Sequence, residues 1–247
     1  MSDRFFVDGP LDLGDVALTG PEAHHLTAVR RFAVGDIVTL FNGDGREHRA
    51  RVVEIGKKSV ALQVTGVESP NRELGFSLHV ASALPKGDRG DFLIEKLTEL
   101  GVTDFTPLET QRGIVKASEA KADKLRRAVI EASKQCGRNF LMLVHSPARW
   151  LDWCRAQSGR RLIAHPGDPE AQARDSAGAS LALRALPSFD ASDRVTIAVG
   201  PEGGFSEQEL QAARAAGWEM LALGPRILRV ETAAVAAAAV LGLTRKP

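Results

Sequence analysis

From residue 74 onward, short apolar runs of strand length alternate with longer stretches of helical period, and no other feature of the chain limits its folds as much. Strands are expected at 76–81, 102–107, 161–164, 195–199 and 220–223, and helices at 91–100, 120–137, 206–216 and 231–243. In the second helix Leu125, Ala128, Val129, Ala132 and Cys136 recur at the spacing of one helical face. Gly101 stops the first helix, and Ser206 followed three residues later by Glu209 reads as a capping box. Such alternation implies a parallel sheet covered by helices on both faces. The Ala/Ser/Gly-rich stretch 171–193 reads as an exposed connection.

The first seventy residues have a different rhythm. Strands are expected at 4–7, 37–41, 49–55 and 60–67, with Asn42-Gly43-Asp44-Gly45 as a hairpin turn. One helix, 21–31, begins with Pro21 in a first-turn position. A small barrel with one short helix accounts for this half, and Ser69-Pro70-Asn71-Arg72 is the expected linker. The fold class is therefore α/β, with a β-barrel domain at 1–70 and an α/β domain at 71–247.

Several function classes are excluded early. No apolar run approaches the roughly 18–20 residues that span a bilayer. The start of the chain lacks the basic-then-apolar order of a signal peptide, so a cytoplasmic protein is expected. Cys136 and Cys154 form no CxxC pair, so neither a disulfide framework nor a zinc site is expected. Residues 112–138 carry 8 basic against 3 acidic side chains, whereas residues 1–70 carry 8 against 10. The basic segment suits a phosphate backbone, although charge alone favours a solvated helix face.

Two loops stand out. Gly200-Pro-Glu-Gly-Gly follows a strand and leads into the capped helix, where ligands sit in open α/β sheets. It is neither a Walker loop nor GxGxxG, which argues against a nicotinamide-dependent oxidoreductase. Leu223-Gly-Pro-Arg-Ile-Leu-Arg-Val-Glu-Thr-Ala also follows a strand, and it keeps Ile227 and Leu228 apolar between Arg226 and Arg229. Apolar side chains in such a loop suit the wall of a pocket for a flat ligand; a buried crossover is the plainer alternative.

These two motifs resemble the knot loops of the SPOUT methyltransferases. More narrowly, the chain resembles the ribosomal RNA small subunit methyltransferase E family, the 16S rRNA uridine-N3 methyltransferases. That likeness also rests on His24-His-Leu-Thr-Ala-Val-Arg-Arg with Gly35-Asp36, on Ala83-Leu-Pro-Lys-Gly-Asp, on Lys96-Leu-Thr-Glu-Leu-Gly-Val through Pro107 and Arg112, and on Glu131-Ala-Ser-Lys-Gln-Cys-Gly-Arg. Glu95 and Met142 depart from the family, which often has Gln and Pro there. The resemblance implies an N-terminal PUA-like β-barrel, a SPOUT domain with a C-terminal trefoil knot, and a homodimer acting on 16S rRNA of the small ribosomal subunit. It implies S-adenosylmethionine held by His165, Pro166, Gly200, Glu202, Gly203, Leu223, Gly224, Ile227, Leu228, Thr232 and Ala233. His165 and Asp168 alone are too few ligands for a metal, and no membrane partner is expected.

Uracil N3 carries a proton, so a general base or a cationic group that stabilises the uracil anion is expected at the site. Glu202 and Glu231 are candidate bases and Arg229 and Arg112 candidate anion stabilisers; spacing does not choose among them, and Glu231 suits a helix N-terminus equally well. RNA contacts are expected from Arg30, Arg31, Lys86, Lys96, Arg112, Lys134 and Arg138. His24 and His25 read as fold residues. Methylation of a tRNA ribose 2′-hydroxyl and a non-catalytic RNA-binding module are the competing readings.

Overall fold

The computed structural model describes residues 3–165, 181–182 and 189–243. The chain forms two compact units, one of Met1–Arg72 with Ile130–Leu141 and one of Glu73–Val129 with Met142–Pro247.

The first unit is a five-stranded sheet ordered β1-β3-β4-β5-β2, with β1 Arg4–Phe6, β2 Gly14–Thr19, β3 Ile37–Phe41, β4 Glu47–Ile55 and β5 Ser59–Glu68. β3 and β4 pair antiparallel across the turn that Asn42–Gly45 predicts. Along β4 the inward residues His48, Ala50 and Val52 are buried while Arg49 and Arg51 face water, the period of two that a one-sided core requires. Phe5, Leu11, Leu18, Leu26, Val38, Leu40 and Leu62 complete that core. Strand β2 gives no clear signal in the sequence because only Leu18 of it is buried; its pairing with β5 supplies its order.

The helix expected at 21–31 is shorter. It is α-helical over Gly20–His24 (α1) and widens to a π-type turn over His25–Val29. Thr27 Oγ1 donates to the Ala23 carbonyl at 2.9 Å, and Arg30 N reaches back to His25 O at 2.9 Å, five residues away. The threonine hydroxyl competes with the backbone for that carbonyl and unwinds the last turn. Arg31 then takes φ 58, which turns the chain away.

Ile130–Leu141 belongs with the sheet of this unit. The Glu47 carboxylate accepts from Arg4 Nη1 at 2.8 Å, Arg72 Nη1 at 2.9 Å and Asn139 Nδ2 at 3.3 Å. The Arg72 hydrogen bond, with those of Arg4 and Asn139, holds its pKa down to about 2 against the opposing effect of burial.

The second unit is a sheet ordered β11-β13-β10-β12-β6-β7-β8, with β9 also paired to β7; every pairing is parallel, as the alternating pattern predicts. Its strands are β6 Ser77–Ala83, β7 Asp104–Glu109, β8 Leu143–Val144, β9 Ala148–Arg149, β10 Arg160–Ala164, β11 Leu181–Ala182, β12 Arg194–Val199 and β13 Glu219–Ala222. Helices are α2 Arg89–Glu99, α3 Glu119–Cys136, α4 Trp150–Trp153, α5 Glu207–Ala215 and α6 Val230–Leu243. From Val195 to Val199 every residue of β12 is buried, as a doubly covered strand must be. β13 pairs with the far edge of β10, and α6 returns to pack on α2, β6 and β12.

The stretch 171–193, expected as an exposed connection, lies partly outside the described residues. Within the described part, Leu181–Ala182 is a strand paired with β13, and Phe189 is buried against Phe76. Small residues hid both features, since a two-residue strand has no period to detect. Among the described residues no helix is long and apolar enough to cross a membrane, and no cluster of three or more His, Cys, Asp or Glu could hold a metal ion.

Candidate active site

A pocket of about 290 Å³ opens at the carboxyl ends of β10, β12 and β13, the edge at which parallel sheets bind ligands. His165 continues β10, residues 199–205 leave β12, and residues 223–233 lead from β13 into α6. Arg112 reaches in from the loop after β7.

Two glycines of the first loop stand where other atoms approach closely. A Cβ at Gly200 would lie 2.9 Å from Phe205 Cδ2 and 3.3 Å from Phe205 N. At Gly203 it would lie 3.3 Å from Arg112 Cβ, and that side chain spans the loop to donate from Nη1 to Gly203 O at 2.9 Å. Phe205 is buried, its ring 4.7 Å from Trp150. Ser206 and Glu209 form the capping box that the sequence predicts, with Ser206 N on Glu209 Oε2 at 2.8 Å and Glu209 N on Ser206 Oγ at 3.3 Å. These contacts fix where the loop ends.

The opposite wall is apolar. Leu223, Ile227, Leu228, Val230 and Ala233 line it, and Ile227 is 89% exposed, the most exposed of the large apolar side chains among the described residues. Burial, with Arg214 adding to it, lowers the His165 pKa from its ordinary value, which favours the neutral imidazole.

Of the residues singled out for a cofactor, His165, Gly200, Glu202, Gly203, Leu223, Gly224, Ile227, Leu228 and Ala233 line this one pocket. Thr232 is exposed and does not, and Pro166 lies outside the described residues, as does Asp168. Of the residues singled out for catalysis, Arg112 and Glu202 line the pocket, whereas Arg229 is exposed beside it. Glu231 is buried in the first turn of α6. Its Oε1 accepts from Arg89 Nη1 at 3.3 Å, and its buried Oε2 has no hydrogen-bond partner among the described residues. Arg89 Nη2 lies 3.7 Å from Glu202 Oε1, so one guanidinium stands between both acids. Arg89, Arg226 and Phe205 escaped the sequence reading; only Phe205, apolar and directly behind a run of glycines, carried a local signal.

The RNA candidates separate by exposure. Arg31 and Lys86 are exposed. Arg30 is paired with Asp3, and Lys96 with Glu95 at 2.7 Å and Glu99 at 2.9 Å, bonds that raise the Lys96 pKa to about 12. Lys134 is 6% exposed, its Nζ 2.7 Å from Glu22 Oε1, and Arg138 is 4% exposed. Helical period alone puts Lys134 opposite the apolar face, where a solvated side chain is expected. The structure buries it because the end of α3 is covered on a second side.

The comparisons agree with this geometry. A family model described as an RNA methyltransferase domain matches residues 72–242, and one described as an RNA methyltransferase PUA domain matches residues 18–65. Ribosomal RNA small subunit methyltransferase E of Bacillus subtilis is 34% identical over 224 residues, 88% of this chain and 85% of that relative. The crystal structure of a ribosomal RNA small subunit methyltransferase E from Neisseria gonorrhoeae bound to S-adenosyl methionine has a TM-score of 0.87 and 29% identity, covering 99% of this chain and 98% of that one. A Legionella pneumophila protein solved with bound SAM has a TM-score of 0.87 and 33% identity, covering 98% and 97%. With a PUA-like unit ahead of an RNA methyltransferase domain, this chain belongs to the ribosomal RNA small subunit methyltransferase E family.

Proposed function

We propose that this enzyme transfers a methyl group from S-adenosylmethionine to N3 of a uridine in 16S rRNA of the small ribosomal subunit. The observation that carries the reading is the pocket: three loops from three strand ends converge on it, with Gly200 where any side chain would collide with Phe205 and Arg112 tied across the rim. The donor set fits the cofactor. Gly200, Gly203 and Gly224 offer backbone, Leu223, Ile227, Leu228 and Ala233 an apolar wall for an adenine, and neutral His165 adds no charge to repel a sulfonium; Pro166 and Thr232 complete the proposed set. When bound, the cofactor supplies an electrophilic methyl group.

The chain's own residues do the rest. N3 lies on the Watson–Crick edge, so the uridine is taken unpaired or flipped from its stack. Glu202, exposed on the pocket rim, accepts the N3 proton, which favours it over buried Glu231 as the base. Arg112, oriented by Gly203, stabilises the negative charge left on the uracil, with Arg229 beside it. Arg89 holds the Glu202 carboxylate from behind while Glu231 anchors the guanidinium. Residues 1–70 act as the RNA-binding domain and 71–247 as the catalytic one; Arg30 and Arg31 in the first, and Lys86, Lys96 and Arg112 in the second, contact phosphates, and buried Lys134 and Arg138 support the first from within. The return of α6 to β6 and β12, after β13 has paired beyond β10, supports a trefoil knot, and the likeness to the family is what supports a homodimer. The enzyme would act in the cytoplasm, where its substrate is assembled.

The test is nucleoside mass spectrometry. Small ribosomal subunits lacking the modification, incubated with the protein and S-adenosylmethionine, are expected to gain N3-methyluridine. A ribose-methylated nucleoside instead would move the activity to a 2′-hydroxyl, and no methylation despite cofactor binding would overturn the substrate assignment.

A further inference from the structure

A capping glutamate needs one carboxylate oxygen, and in the first turn of a helix it ordinarily faces water. Glu209 departs from this on both counts. It is 3% exposed, and besides the cap its Oε1 accepts the backbone N–H of Gln111 at 2.8 Å, from a loop 98 residues away in the chain. Its carbonyl accepts from Trp150 Nε1 at 3.1 Å, which pins the same turn from a third direction. A buried carboxylate is expensive unless its lone pairs are satisfied, so this one is placed where two separate backbone segments supply the donors.

The next residue after Gln111 is Arg112. The loop after β7 and the loop after β12 are therefore tied twice. At the pocket, Arg112 Nη1 meets Gly203 O at 2.9 Å; behind it, Gln111 N meets Glu209 Oε1. We infer that Glu209 is a positioning residue: by holding the Gln111 peptide, it sets the root of the Arg112 side chain so that the guanidinium reaches the rim of the pocket. This rests on the proposed role of Arg112 at the reacting uracil. It adds a partner to that role from outside the pocket, since Glu209 does not line it.

Two variants separate positioning from capping. Glu209→Gln keeps the volume but offers only one acceptor, leaving one of the two N–H donors facing an amide NH2. Ser206→Ala removes only the hydroxyl of the cap. At saturating cofactor and RNA, Glu209→Gln is expected to lower kcat about 10- to 100-fold, the loss typical of a misplaced catalytic group. Its cofactor Kd, read from tryptophan fluorescence, stays within about threefold of the wild type, and Ser206→Ala turns over as the wild type does. The double variant Arg112→Ala/Glu209→Gln is expected to be no slower than Arg112→Ala alone, because two residues acting through one guanidinium do not add. Equal losses in Glu209→Gln and Ser206→Ala, or additive losses in the double variant, overturn the inference. If Glu209→Gln does not fold, amide exchange at Gln111 in the wild type decides. Protection is expected at this otherwise exposed residue, and exchange at open-loop rates overturns the bridge. A wild-type enzyme that methylates no uridine refutes the proposed function instead, before any variant is compared.

Discussion

Gly200→Ala is the sharpest perturbation of the cofactor site. The added methyl would stand 2.9 and 3.0 Å from Phe205 Cδ2 and Cε2, and 3.3 Å from Phe205 N, against the roughly 3.5–4.0 Å at which carbon atoms attract. The ring has nowhere to retreat: Phe205 is 4% exposed and Trp150 behind it 1%. The strain must open the backbone between 200 and 205, the segment that carries Glu202, Gly203 and Gly204 along the pocket. Overpacking of this kind costs about 1–3 kcal/mol. Expressed in loop geometry, that is about 5- to 150-fold weaker binding of S-adenosylmethionine at 1.4 kcal/mol per tenfold. Gly204→Ala is the control. Its Cβ would meet nothing within 4 Å, so only the φ of +68° is strained, at about 1–2 kcal/mol of stability and with little change in affinity. The assay is built into the chain, which has three tryptophans and no tyrosine. Trp150, Trp153 and Trp218 pack together in tilted and edge-on contacts, with Trp150 against Phe205, so intrinsic fluorescence reports on the loop directly. Wild-type affinity and melting temperature in Gly200→Ala would refute the reasoning.

Three further outcomes are expected. His79 is pushed down to about 4 by burial, and around it lie Thr106 Oγ1 at 2.8 Å, the stacked ring of His145, the edge of Trp153, and the charges of Asp104 and Arg194. Because its folded pKa lies below the unfolded 6.5, its contribution is complete above pH 6.5 and is lost as pH falls toward 4, by up to about 3 kcal/mol. The melting temperature should therefore drop across that window more steeply in the wild type than in His79→Gln, and parallel curves would contradict it. Acidification should also weaken cofactor binding, because protonating the neutral His165 puts a cation beside a sulfonium; His165→Asn should abolish that dependence in a fluorescence titration. RNA affinity should fall linearly with log[salt], and Arg31→Ala should reduce the slope by about one. Lys134→Ala should instead lower stability by about 3 kcal/mol, since it strands Glu22 in a mostly buried pair, and a melt with no shift would be the contrary result.

Much of this molecule is written along the chain itself. The alternation after residue 74 determined the parallel sheet, since period and length are local properties of the sequence. Ser206 and Glu209 determined the cap of α5, and the glycines of 200–204 with the apolar residues 227–228 marked the pocket walls, because each choice answers to its immediate neighbours. Local signals failed where the partner is distant. β2 depends on β5 for its order, and Lys134 is buried with Glu22, more than a hundred positions away. The choice between Glu202 and Glu231 could not be made from spacing. Both belong to motifs that follow a strand, and only the packing of α6 leaves one on the rim and the other buried against Arg89. The second bond of Glu209 belongs to the same class: the sequence specified a cap, and the tertiary structure alone brought Gln111 to its other oxygen. Propensity and period act over a few residues, whereas burial and hydrogen-bond satisfaction are decided by whatever the finished fold brings alongside.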